Sequence, residues 1–172
     1  MAGDNVSLPA SITTIGESCF NNCHLGSLTF LSGTALTIIG DNAFCYCELP
    51  SLSGLPATVE NIGAEAFSYN QITEFAITPA MKVIGANAFD SNRISYIKLN
   101  PATEYDSQLA IYRNAFAGQK CELTVEYNEA CTTVPDYIKA CPFSQTMSYD
   151  DENFEDLPTC LRVIVPNFQI LR

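Results

Sequence analysis

Eight cysteines, one histidine and an acidic run are the side chains of this chain with chemistry to offer, and their spacing decides what kind. Cys19-x3-Cys23-His24 with Cys45-x-Cys47 would bring thiolates and one imidazole together, the soft tetrahedral set that zinc takes. The spacings are not those of a zinc knuckle, and the repeat described below accounts for most of these cysteines. His24 as a general base would need a carboxylate to orient it and a nucleophile to face. Its surroundings in sequence supply neither, so an edge or surface histidine is expected. Asp150-Asp151-Glu152-Asn153-Phe154-Glu155-Asp156 lacks the alternating oxygen ligands and turn glycine of a calcium loop and reads as a solvated loop. Glycan cleavage needs paired carboxylates, and Glu74 stands alone on its strand face. No catalytic residue, cofactor or metal ligand is assigned, and the chain is read as non-enzymatic.

What organises the chain is a recurring phrase. Ile62-Gly63-Ala64-Glu65-Ala66-Phe67 returns as Ile15 to Phe20, Ile39 to Phe44 and Ile84 to Phe89, with a worn copy at Ile111 to Phe116 in which Tyr112 replaces the glycine. Successive Phe residues lie 24, 23, 22 and 27 residues apart. A period in this range marks stacked repeats, each too small to bury its own apolar face. The phenylalanines should stack coil on coil, the alanines permit close packing, and the glycine suits either a positive φ or a close approach between coils. Three residues after each Phe stand Cys23, Cys47, Asn70, Asn92 and Gln119, a slot that reads as a structural rung touching backbone. Cys19 occupies the alanine slot and is expected to fill the core as a free thiol. Cys45 shares its slot with Asn21, Ser68, Asp90 and Ala117, a polar set that implies exposure.

The second half of each repeat is a strand. Apolar residues fall eight and ten positions after Phe (Leu28 and Phe30, Phe75 and Ile77, Ile97 and Leu99), the two-residue period of one strand face. Proline at 56, 79 and 101 ends each strand because it has no N–H for a ladder. The outward positions are Ser27, Thr29, Leu31; Ser51, Ser53, Leu55; Glu74, Ala76, Thr78; and Tyr96, Lys98, Asn100. Stacking turns them into a grid that the core does not fix, the candidate protein-binding face, with Tyr96 as its best anchor. A carbohydrate-binding module should show stacked exposed aromatics, whereas this face offers only Tyr96 and the chain has no Trp. In either alternative the real site would lie in repeats outside this stretch, and a structural spacer would tolerate scrambling of the grid. Cys121-Glu122-Leu123-Thr124-Val125-Glu126-Tyr127 still alternates, with its apolar sites one residue early.

The run Leu55-Pro56-Ala57-Thr58-Val59-Glu60-Asn61-Ile62-Gly63-Ala64-Glu65-Ala66-Phe67, followed by Ile72 to Pro79, resembles the BspA-like class of leucine-rich repeat from residue 6 to about 127. That resemblance implies a mainly-β, right-handed leucine-rich-repeat solenoid of about five coils of 22–27 residues with an irregular C-terminal cap. The division is 1–127 for repeats and 128–172 for the cap, where Val163-Ile164-Val165-Pro166 resembles a capping strand. It also implies a non-catalytic adhesion module of a secreted or surface protein, binding a host or matrix protein.

Composition narrows the partners. Eight basic against nineteen acidic side chains leave −11, which opposes nucleic acid and anionic membrane surfaces alike. No apolar run is long enough to span a bilayer. The opening residues carry no signal peptide, so the chain is read as part of a longer protein whose export signal lies elsewhere. In the cap, a short helix is expected to start at Pro135, and Cys121, Cys131, Cys141 and Cys160 are expected to form one or two disulfides whose pairing the sequence leaves open.

Overall fold

The computed structural model describes residues 3–99, 110–112, 114–119, 124–126 and 162–164. Within them the chain forms eleven strands and no helix. Five are two-residue strands at the Ile-Gly phrase: β2 (Thr14–Ile15), β4 (Ile38–Ile39), β5 (Asn61–Ile62), β7 (Val83–Ile84) and β9 (Ala110–Ile111). They pair in parallel, each with the next, into one five-stranded sheet. The other flank holds β1 (Asp4–Leu8) with β3 (Leu25–Phe30), and separately β6 (Glu74–Ile77), β8 (Tyr96–Leu99), β10 (Thr124–Glu126) and β11 (Arg162–Ile164). All pairs are parallel, so the chain winds as a β-solenoid of about four turns.

The phenylalanine column fills the centre. Rings of Phe20, Phe44, Phe67, Phe89 and Phe116 stack at 5.1, 5.2, 5.4 and 5.1 Å between centroids. Phe44, Phe67, Phe89 and Phe116 are fully buried, whereas Phe20 on the outermost coil is only half-buried. Phe75 packs against the column, 4.3 Å from Phe89. Each Phe N–H donates to the carbonyl of the alanine before the next Phe, as in Phe44 to Ala66 and Phe67 to Ala88.

Of the two roles open to the repeated glycine, close approach is the one used. A Cβ on Gly63 would lie 2.5 Å from the Asp41 nitrogen, and one on Gly85 2.5 Å from the Ala64 nitrogen. Positive φ falls instead two residues before each Phe, at Ser18, Asn42, Glu65, Asn87 and Asn114 (54–58°). Asparagine suits that region best among residues with a side chain.

Several expectations need correction. Cys19 is exposed, since its alanine slot is closed by a coil on each side and Cys19 lies on the outermost coil. Cys45 is only 3% exposed: its thiol lies 3.1 Å from the Ser68 hydroxyl one coil on, so at these two coils the slot is internal and its polar groups meet each other. The second coil forms no strand across 49–54. Pro50 has no N–H to give, Ser51 Oγ accepts the Ser53 N–H, and the Leu55 N–H turns back to Leu52 O. In the fifth coil the Tyr112 N–H reaches Ile84 O just as the Gly85 N–H reaches Ile62 O, so the register holds there. Val125 then pairs with Ile97, which pairs with Phe75. The apolar sites of β10 therefore come one residue late, not early.

The short helix expected at Pro135 and the cysteines at 121, 131, 141 and 160 lie outside the described residues. So does Asn100. The strand expected near Val163 is β11, paired with β10.

Two pairs of substitutions test the packing by denaturant unfolding. Phe67→Ala removes a ring with neighbours on both sides and costs about 3 to 5 kcal/mol, while Phe20→Ala costs about half as much because its ring already meets water. Gly63→Ala forces a backbone contact and costs about 1 to 3 kcal/mol. Gly16→Ala, with nothing within 4 Å of the added Cβ, changes stability by less than about 0.5 kcal/mol.

Candidate functional site

Parallel pairing stacks the outward strand residues into rows, because one coil places each residue beside its counterpart in the next. Asn5 pairs with Ser27 and Ser7 with Thr29. Glu74 pairs with Tyr96 and Ala76 with Lys98. The Ser27 hydroxyl lies 2.8 Å from Asn5 Oδ1. Thr29, Leu31, Ser53, Glu74 and Lys98 are exposed; Ser27, Ser51, Leu55, Ala76 and Tyr96 are half-buried. Thr78 does not join this surface. It is 5% exposed and donates its hydroxyl to Ala57 O. With the second coil lacking a strand, the face consists of two ordered patches separated by an irregular rung.

The turn after each Phe carries two further rows. Behind them runs the polar rung. Asn70 Nδ2 donates to Phe44 O at 2.8 Å and Phe67 O at 3.0 Å, and its Oδ1 accepts the Leu49 N–H. Asn92 repeats the pattern with Phe67 O, Phe89 O and the Ile72 N–H. Gln119 does so with Phe89 O and the Ile94 N–H. Cys47 donates its thiol to Phe20 O at 2.9 Å but offers no comparable acceptor. Its own backbone carbonyl accepts the Leu25 N–H in place of a side-chain amide, and Glu48 takes a φ of 58° beside it.

Outside the rung, two residues after Phe, stand Asn22, Tyr46, Tyr69 and Ser91, all at φ of 55–59°. Four residues after Phe stand His24, Glu48, Gln71 and Arg93. Together with Asn70 these residues line an open groove of about 460 Å³. Tyr46 and Tyr69 stack at 4.2 Å and 6° while remaining 50% and 43% exposed. The Tyr46 phenol is pushed above its ordinary value, first by loss of water around it and then by the adjoining Tyr69 hydroxyl. His24 Nδ1 lies 3.3 Å from Glu48 Oε1, both exposed. Below the row, burial raises the Asp90 carboxyl against the opposing hydrogen bonds from Ser91.

The stacked tyrosines are the feature that reading the strand face missed. The available signal was Tyr46 and Tyr69 at a separation equal to the local Phe period of 23.

Among the described residues, no three His, Cys, Asp or Glu side chains converge on a point where a metal would sit. Cys45 and Cys47 turn into the solenoid and His24 turns to Glu48, so the sequence set Cys19, Cys23, His24, Cys45 and Cys47 is not assembled. No helix among them is long and apolar enough to cross a membrane.

The family model for the BspA type leucine rich repeat region matches residues 3–123 in six copies. The chain belongs to the BspA-type leucine-rich repeat family. Motif counting finds five copies of the phrase, and the match from residue 3 also takes in β1. BspA-type repeats are generally non-enzymatic and form interaction or adhesion modules, typically of surface or secreted proteins. No curated protein and no solved structure matches this BspA-type chain.

The four cysteines among the described residues are free thiols in different settings. Burial pushes Cys47 from 9.0 up to about 11, a backbone hydrogen bond at Cys23 pulling the other way. Burial also raises Cys45, opposed by its hydrogen bond with Ser68. Iodoacetamide near neutral pH should label Cys19 quickly and Cys45 and Cys47 only on unfolding, as peptide mass mapping would show. Because Cys47 has a higher pKa folded than unfolded, the stability it contributes is complete below pH 9.0 and is lost towards about 11. Melting temperature should fall across that window, and fall less in Cys47→Ser.

Proposed function

We propose that this chain is a non-catalytic protein-binding, adhesive module of a secreted or cell-surface protein, and that it recognises its partner through the strand face. The observation that carries this reading is the in-register pairing of Glu74 with Tyr96 and Ala76 with Lys98. It sets an aromatic, a cation and a carboxylate side by side on a rigid sheet whose inner face alone serves the core. Side chains held by a stacked backbone lose little freedom on binding, which is what lets a small patch discriminate. Tyr96 is the anchor: half-buried, it exposes area at low entropic cost, with Glu74 and Lys98 setting charge complementarity around it. Ser27, Thr29 and Leu31 form the second patch, Leu31 being the exposed apolar residue there. Ser51, Ser53 and Leu55 contribute the irregular rung between the two. Residues 1–127 form the repeat unit and 128–172 its cap, and a host or matrix protein is the partner class that suits an acidic, extracellular repeat array.

Surface plasmon resonance against immobilised fibronectin, laminin and fibrinogen tests the reading. The intact chain should bind at least one, and Tyr96→Ala should weaken that binding by about tenfold with unchanged melting temperature. Binding that ignores Tyr96→Ala, Glu74→Ala and Lys98→Ala alike would remove this face from the account.

A further inference from the structure

The row two residues after Phe holds a second kind of site, on the turn rather than on the strands. Asn22, Tyr46, Tyr69 and Ser91 share one backbone conformation, so their side chains leave successive coils in one direction. Two of the four are stacked rings, and the stack follows the solenoid axis. It stops at Tyr69 because the next coil carries only the hydroxymethyl of Ser91. A step about one coil deep, about 4.8 Å, is left against the outer face of the Tyr69 ring, which stays 43% exposed although its other face is covered by Tyr46.

The walls of that step are polar. Gln71 and Arg93 flank it from the row four residues after Phe, with Ser91 at its base and Asn70 behind. The Asn70 amide already serves backbone partners, so it is floor and not recognition group. Around one exposed aromatic face the Gln71 amide offers a donor and an acceptor, the Ser91 hydroxyl, which already donates to Asp90, offers an acceptor, and Arg93 adds a polar wall. This suits a ligand that is apolar on one side and hydroxylated at its rim. The negative face of the ring attracts positively polarised C–H groups. A partner's aromatic side chain would call instead for apolar walls, and the net charge of −11, with Glu48 in the same groove, disfavours an anionic ligand.

We propose that the step beside Tyr69 binds one pyranose ring of a neutral glycan, its C–H face on the Tyr69 ring and its hydroxyls on Gln71 and Ser91. The glycan continues along the groove past the Tyr46 edge towards the His24–Glu48 pair. This surface is separate from the strand face, so the two binding activities stand or fall independently.

The test is titration of the intact chain with cellohexaose, xylohexaose, mannohexaose, maltohexaose and chitohexaose, followed by saturation-transfer NMR on the tyrosine and sugar signals. At least one hexaose should saturate with Kd of about 0.1 to 5 mM, and Tyr69→Ala should weaken it by about tenfold or more. Ser91→Tyr supplies the decisive control. Its backbone already matches that of Tyr46 and Tyr69, so a third ring should extend the stack and abolish sugar binding at the Tyr69 face, at the cost of the Ser91 hydroxyl's bond to Asp90. Tyr96→Ala should leave sugar binding unchanged. The proposal is overturned if no hexaose saturates below about 10 mM, or if folded Ser91→Tyr binds sugar as the parent does. Saturable binding of a tryptophan-bearing peptide with no hexaose bound would also overturn it and give the step to a protein.

Discussion

A carbonyl of one coil can accept an N–H from the next only if both coils follow the same path one rung apart, and nearly everything in this protein follows from that constraint. The Ile-Gly turn meets it by omitting Cβ where the backbones come closest, between Gly63 and Asp41 and between Gly85 and Ala64. The left-handed residue before each Phe meets it by turning the chain so that the Phe N–H points along the axis. Glu65 accepts that conformation without the side-chain suitability of asparagine, at a cost of the order of 1 kcal/mol. The repeat tolerates such local strain because each strained residue lies between coils that hold it in place.

The same constraint explains which polar residues can be buried. Three residues after Phe the backbone carbonyls of two neighbouring coils converge, and an amide that donates to both while accepting an N–H closes the account of donors and acceptors. A thiol covers part of it, and the peptide after Cys47 turns to supply the missing acceptor. One slot therefore admits Asn, Gln and Cys, provided the backbone adjusts with the side chain.

Most of the fold was legible because core positions in a solenoid repeat their chemistry. Phe, Ala, Ile-Gly and the Asn or Cys rung each named a layer, and the parallel stack followed. Cys45 was misread because polar neighbours in a column look like exposure, whereas Cys45 and Ser68 satisfy one another between coils. Cys19 was misread because a slot predicts burial only when both adjoining coils exist. The missing strand at 49–54 turned on Pro50 and on a serine capping its own neighbour, local effects that a repeat average hides. Tyr46 and Tyr69 escaped notice for the opposite reason: their column also holds Asn22, Ser91 and Gly118, and variability concealed the two rings that do touch.

The direction of the hydrogen bonds between coils also sets how the protein responds to being pulled. They run along the solenoid axis, as in Phe20 to Ala43 and Phe44 to Ala66. A load applied along that axis pulls each bond open lengthwise and cannot spread over a row of bonds in shear. The coils would peel from the end in sequence, each of about 23 residues releasing about 75 to 80 Å of chain. An array of this kind in a tethered protein behaves as a stepwise extensible spring, yielding length under tension while the coils still stacked keep their surface rows in register.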